Sequence, residues 1–72
     1  MENTKYKERI SVVVPCFNEQ ETLRKLYEEL DKTAFTMEEY EFEFIFVNDG
    51  SKDRTILQMR ELAEADQRVK YI

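Results

Sequence analysis

Phe44-Ile45-Phe46-Val47-Asn48-Asp49-Gly50-Ser51-Lys52-Asp53 decides how this chain folds. Four residues that favour burial run straight into a cluster that favours water and turns. A strand that ends so abruptly either meets a surface turn or stops at a ligand site. Outward from it, Phe42, Phe44 and Phe46 share one face of a strand over Phe42–Asn48, and Glu43, Ile45 and Val47 share the other. That strand starts half exposed at Glu43 and is expected to be fully buried by Ile45. Asp49-Gly50-Ser51 reads as a tight turn. Ser51 or Asp53 can then cap a helix whose inner stripe is Ile56, Met59, Leu62 and Ala63.

The same punctuation occurs once earlier. Ile10-Ser11-Val12-Val13-Val14 is a β-branched run with little polar alternation, as expected of a strand covered on both faces, and Pro15 ends it. Asn18 can cap the following helix, with Glu21 three residues on completing a capping box. Leu23, Leu26, Tyr27, Leu30 and Ala34 recur at helical spacing, predicting a helix over Glu19–Thr33 with the acidic stretch Glu38–Glu41 as its solvated exit. Val69-Lys70-Tyr71-Ile72 begins a third strand. The order β-α-β-α-β, with helices long enough to cross over, predicts an α/β fold: a Rossmann-like parallel sheet. Right-handed crossovers then bring both polar turns to the carboxyl end of the sheet, where open α/β sheets bind ligands. Residues 1–9 read as a flexible leader and 10–72 as the folded part.

Bulk properties narrow the function. The 72 residues allow one small domain, and the single cysteine, Cys16, rules out an internal disulfide staple. There is no histidine, and the net charge of −5 without a Lys/Arg cluster argues against nucleic acid as a partner. No apolar run reaches the roughly 20 residues of a membrane span, and no signal-peptide core precedes the first strand. These features lead to the expectation of a cytoplasmic location.

The first turn offers Pro15, Cys16, Phe17, Asn18 and Glu19; the second offers Asn48, Asp49, Gly50 and Ser51. Each has a plain structural reading: Asn18 as a cap, Glu19 as a helix-dipole partner, Asp49-Gly50 as an ordinary turn, Phe17 as an edge aromatic and Cys16 as a small buried residue. Together, on adjacent strand ends, they bring an aromatic face and two carboxylates into reach of one ligand. A carboxylate there would accept hydrogen bonds from base N–H groups or sugar hydroxyls, not hold phosphate. No G-x-G-x-x-G or G-x-x-x-x-G-K-[ST] is present, which removes dinucleotide-binding dehydrogenases and P-loop enzymes. Asp49, Ser51 and Asp53 imitate a calcium loop, but Arg54 and Arg60 fall where its glycine and closing glutamate belong.

"SVVVPCFNEQETL" followed by "FIFVNDGSKDRT" resembles the start of the family 2 glycosyltransferases of the GT-A fold. It is nearest the branch that contains dolichol-phosphate mannose synthase and bacterial undecaprenyl-phosphate glycosyltransferases. The resemblance covers about Arg9 to Ile72. It implies that Pro15, Phe17, Glu19, Val47 and Asp49 line a nucleotide pocket, with Asp49 contacting the base, Val47 beneath it, and Asn18, Asn48, Gly50 and Ser51 supporting the turns. Phe17 stands where tyrosine is usual, and Asn48 where a first aspartate is common. It further implies a partial GT-A nucleotide-binding subdomain of an enzyme that moves a hexosyl group from a UDP- or GDP-linked sugar to a polyprenyl-phosphate or glycan acceptor in cell-envelope polysaccharide synthesis. The intact enzyme would use Mg or Mn and could work at the cytoplasmic face of a membrane. The family's D-x-D metal motif and its catalytic base come later than these residues, so the chain by itself is expected to bind no metal and to be inactive. A nucleotidyltransferase would want a Gly-rich basic loop after the first strand, which is absent. The alternative of another class is a non-catalytic βαβαβ binding or assembly module. In the family's sheet the first strand is internal, so this chain is expected to self-associate through that strand's free edge.

Overall fold

A computed structural model describes residues 7–50 and 54–72. The elements are β1 (Glu8–Cys16), α1 (Leu23–Phe35), β2 (Tyr40–Asn48), α2 (Thr55–Ala65) and β3 (Val69–Tyr71). The three strands are parallel in the order β1-β2-β3, with Val12 opposite Phe44 and Phe44 opposite Val69. The predicted α/β class and βαβαβ order are what the chain forms.

Both helices lie on one face of the sheet. Two right-handed crossovers that step in the same direction place them there. The core follows: Cys16 from β1, Phe44 and Phe46 from β2 and Val69 from β3 meet Leu23 of α1 and Met59 and Leu62 of α2. Phe42 stacks on Phe44, with ring centroids 6.1 Å apart. The opposite face has no helix among the described residues, and this corrects the expectation of a doubly covered first strand. Residues alternate along β1, so Val12 and Val14 pack against the core while Val13 is 60% exposed. Ile45 is half-buried, not fully buried as expected. Its face instead carries a polar row in which the Ser11 hydroxyl donates to Glu43 Oε1 at 2.6 Å and Lys70 pairs with Glu43 Oε2 at 3.1 Å.

Several boundaries move for local reasons. β1 starts at Glu8, within the expected leader, because Glu8 and Arg9 pair in register with Tyr40 and Glu41. Those two partners therefore belong to β2 and not to a solvated exit from α1. β1 also passes through Pro15 to Cys16. The Cys16 carbonyl faces β2, where it accepts the Asp49 N–H, so the missing N–H of Pro15 faces the free edge and disrupts no ladder. α1 begins at Leu23, not Glu19: the Thr22 and Leu23 N–H groups both donate to the Glu19 carbonyl, at 3.0 and 2.8 Å, and close a separate turn first. Asn18 does not cap α1. It adopts φ 51°, a left-handed conformation that asparagine tolerates better than most residues, and turns the chain. Thr22 holds the N-cap position without a side-chain cap, so the box from Asn18 to Glu21 is not the helix start. Leu26 lies off the buried stripe of Leu23, Tyr27, Leu30 and Ala34. In α2 the innermost residues are Thr55, Met59 and Leu62, with Ile56 only half-buried. The expected cap from Ser51 or Asp53 lies outside the described residues.

Candidate functional site at the carboxyl ends of the strands

β1 and β2 end together, with Cys16 opposite Asn48. The Asp49 N–H donates to the Cys16 carbonyl at 2.8 Å and pins the second turn against the first. On the other side, the Asn48 N–H donates to the Ile72 carbonyl at 2.9 Å. The two turns are thus held on adjacent strand ends, as the parallel reading expects.

The residues singled out from sequence distribute as follows. Phe17 is 57% exposed and presents an aromatic ring that no core packing consumes. Pro15, on the helix-free face of the sheet, and Asn18 and Asp49 at the turns are exposed. Val47 and Asn48 are half-buried at the end of β2. Gly50 has φ 81°, the left-handed region that glycine enters without a side-chain clash, and a turn this sharp after Asp49 requires it. Ser51 lies outside the described residues. Glu19 is half-buried and has a local task, since its Oε1 accepts the Thr22 hydroxyl at 2.6 Å. Its carboxylate therefore closes the turn before α1 and remains at the same sheet end as Asp49.

Cys16 is buried, and its thiol donates weakly to the Val14 carbonyl at 3.5 Å. Burial pushes its pKa up, and the Glu19 charge adds to the rise. A thiol kept protonated is a poor nucleophile, which supports its reading as a packing residue. No group of three His, Cys, Asp or Glu side chains among the described residues could hold a metal ion.

Three further residues join the first turn to the head of α2. Thr55 is fully buried, and its Oγ1 accepts the Glu19 N–H at 2.8 Å. Gln20 Oε1 accepts the Arg54 N–H at 3.1 Å, and Gln58 Nε2 donates to the Gln20 carbonyl at 2.7 Å. A threonine at the head of a helix is the available signal in the sequence, although there it suggests only a local cap.

A recess of about 350 Å³ lies elsewhere, lined in part by Arg9, Tyr40, Phe42 and Arg68 towards the amino ends of the strands. Its charges are matched internally: Arg9 with Glu41 at 3.5 Å, and Arg68 with Asp66 at 2.6 Å and Asp31 at 2.7 Å. It also sits at the wrong end of a parallel sheet for a ligand site. The carboxyl-end turns remain the candidate.

Comparison with known proteins gives the family. The family model described as "Glycosyl transferase family 2" matches residues 11–72. A glycosyltransferase of Bacillus subtilis (strain 168), YkcC, is 44% identical over 62 residues, covering 86% of this chain and 19% of that protein. The bactoprenol glucosyl transferase of Shigella phage SfX is 46% identical over 61 residues, covering 81% of this chain and 19% of its own length. A prophage homologue of that transferase in Escherichia coli (strain K12) matches to the same extent, 46% over 61 residues. The chain therefore spans about a fifth of the length of these relatives.

Proposed function

Because the chain belongs to glycosyl transferase family 2, we propose that its two carboxyl-end turns hold the nucleotide half of a nucleotide-diphosphate sugar. The observation that carries this reading is the pinning of the second turn against the first by the Asp49 N–H and the Cys16 carbonyl. It sets an exposed aromatic ring, Phe17, and an exposed carboxylate, Asp49, at one end of the sheet. A base needs both features, a face to stack on and an acceptor for its N–H groups. Val47 would lie beneath the base, and Glu19 would combine its turn-closing role with an acceptor for the sugar. Pro15, Asn18, Asn48, Gly50 and Ser51 would shape the pocket. The diphosphate would extend away from these carboxylates, because like charges repel.

The protein carrying this segment would be an enzyme transferring a hexosyl group to a polyprenyl-phosphate acceptor. Relatives named as bactoprenol glucosyl transferases support that acceptor class. A divalent cation, Mg or Mn, would neutralise the diphosphate leaving group, held by residues other than these 72. A lipid-phosphate acceptor would put the enzyme at the cytoplasmic face of a membrane; no helix among the described residues is long and apolar enough to cross one. By itself the chain would bind nucleotide without transferring sugar and would self-associate through β1.

A nucleotide panel tests the reading. UDP and GDP, with and without Mg²⁺, are titrated into the protein as encoded by its gene, and affinity is measured calorimetrically. Saturable binding of one of them, weakened by Asp49→Asn, is the expected result. Binding of neither, with the protein folded, would overturn the assignment and favour a non-catalytic βαβαβ module.

A further inference from the structure

Arg54 occupies the N-cap position of α2 and makes no side-chain cap hydrogen bond. The first N–H groups of a helix have no partner within it and need one from outside. Here Gln20, in the turn after β1, accepts the Arg54 N–H at 3.1 Å across a sequence separation of 34 residues. The tie is reciprocated twice. Thr55, at 0% exposure, accepts the Glu19 N–H, and Gln58 donates to the Gln20 carbonyl. Gln58 Oε1 is buried with no hydrogen-bond partner among the described residues.

The geometry points to a clasp. We propose that Gln20, Thr55 and Gln58 are positioning residues that lock the Phe17–Glu19 turn to the head of α2, and so set affinity for the nucleotide. This rests on the nucleotide-binding reading above. The Asp49 N–H to Cys16 carbonyl bond holds the turns together where the strands end. The clasp fixes the first turn a second time, against the head of α2. With both in place, the turn that carries the stacking ring is held from two sides, so little ordering remains to be done when the ligand arrives. None of the three residues needs to touch the ligand.

The test uses Gln20→Ala, Thr55→Val and Thr55→Ser in the protein as encoded, with the Kd for UDP and GDP and the donor KM and kcat as readouts. Gln20→Ala and Thr55→Val should raise Kd and KM roughly three- to tenfold, the scale of one lost neutral hydrogen bond, with kcat unchanged. Thr55→Ser keeps the acceptor and should stay near the wild-type Kd. A purely structural role gives a different pattern, in which the folded fraction and apparent kcat fall while KM and Kd hold. Should Thr55→Val fail to fold, Gln20→Ala decides, because that side chain is only half-buried. A wild type that binds neither nucleotide overturns the functional reading and the clasp's role with it. A wild type that binds one of them, with Gln20→Ala binding equally well, overturns the clasp alone.

Discussion

Asp49 shows how one residue divides its duties between backbone and side chain. Its N–H is spent on the Cys16 carbonyl, while its carboxylate stays exposed. Asp49→Asn leaves the backbone bond intact, so thermal stability should barely change. Nucleotide affinity should fall by roughly 1.5–3 kcal/mol, the range for a hydrogen bond to a charged group. Glu19→Gln should weaken binding less, since its carboxylate is partly committed to Thr22. A stable Asp49→Asn variant with wild-type affinity in calorimetry would refute the base contact. Asp66 is the opposite kind of acid. Its carboxylate accepts from Arg68 Nη2 at 2.6 Å, from the Arg68 backbone N–H at 2.9 Å and from the Tyr27 hydroxyl at 2.5 Å. The Arg68 guanidinium, aided by Tyr27 and opposed by burial, holds its pKa well below the usual carboxylate range. A depressed folded-state pKa means that the stabilisation is complete above the unfolded value of about 4 and is lost as pH falls below it. Asp66→Asn should therefore cost roughly 1.5–3 kcal/mol at neutral pH. The gap between wild type and variant should narrow in melts taken progressively below pH 4. A gap independent of pH would show that the charge is not what stabilises.

At the scale of elements, the turns are more demanding than the helices. Gly50 has φ 81°, and a Cβ there would meet no atom of the described residues within 4 Å. Substitution thus costs conformational strain alone, with no clash. Gly50→Ala should destabilise by roughly 1–2 kcal/mol, the penalty of the left-handed region. Gly50→Asn should cost less, because a short polar side chain tolerates that region. Chemical denaturation of the pair checks the order, and equal costs would mean that the turn relaxes to another conformation. The start of α1 follows similar reasoning. Its first carbonyl partner is Glu19, but its first helical residue is Leu23, because the intervening turn spends its N–H groups before the helix begins.

For the molecule as a whole, the main feature is the single-sided sheet. β1 is an edge strand, and its outward backbone groups at Arg9, Ser11 and Val13 have no neighbouring strand among the described residues. Pro15 ends that donor row, so a partner strand can pair only along the earlier part. Val13 and Ile45 lie on the helix-free face beside it. A second copy pairing across a two-fold axis would satisfy the edge and cover part of that face. Light scattering should show the 72-residue chain associating as concentration rises, and Val13→Lys should suppress it. Because Val13 is exposed and outside the core, that variant should keep its melting temperature. A folded chain that stays monomeric at millimolar concentration would dispose of the idea. The same chain should transfer no sugar with UDP- or GDP-hexose and Mg²⁺ or Mn²⁺. Turnover by it would show that the nucleotide half alone suffices for chemistry.

The strand-and-turn punctuation of Phe44–Gly50 and Ile10–Glu19 determined the order of elements and the parallel sheet. Those follow from local rules: β-branched runs make strands, polar turns end them, and helices long enough to cross over leave the strands parallel. Which face is covered, however, depends on where the helices land, so the alternation of Val12, Val13 and Val14 between core and solvent appears only in three dimensions. Asn18 and Glu21 satisfy a local capping pattern, yet the helix starts at Leu23, and the Glu19 N–H in the turn before it is claimed by Thr55, distant in sequence. The clasp of Gln20, Thr55 and Gln58 and the Asp66–Arg68–Tyr27 network were illegible for the same reason. Polar side chains choose partners by proximity after folding, and no periodicity in the sequence records that choice.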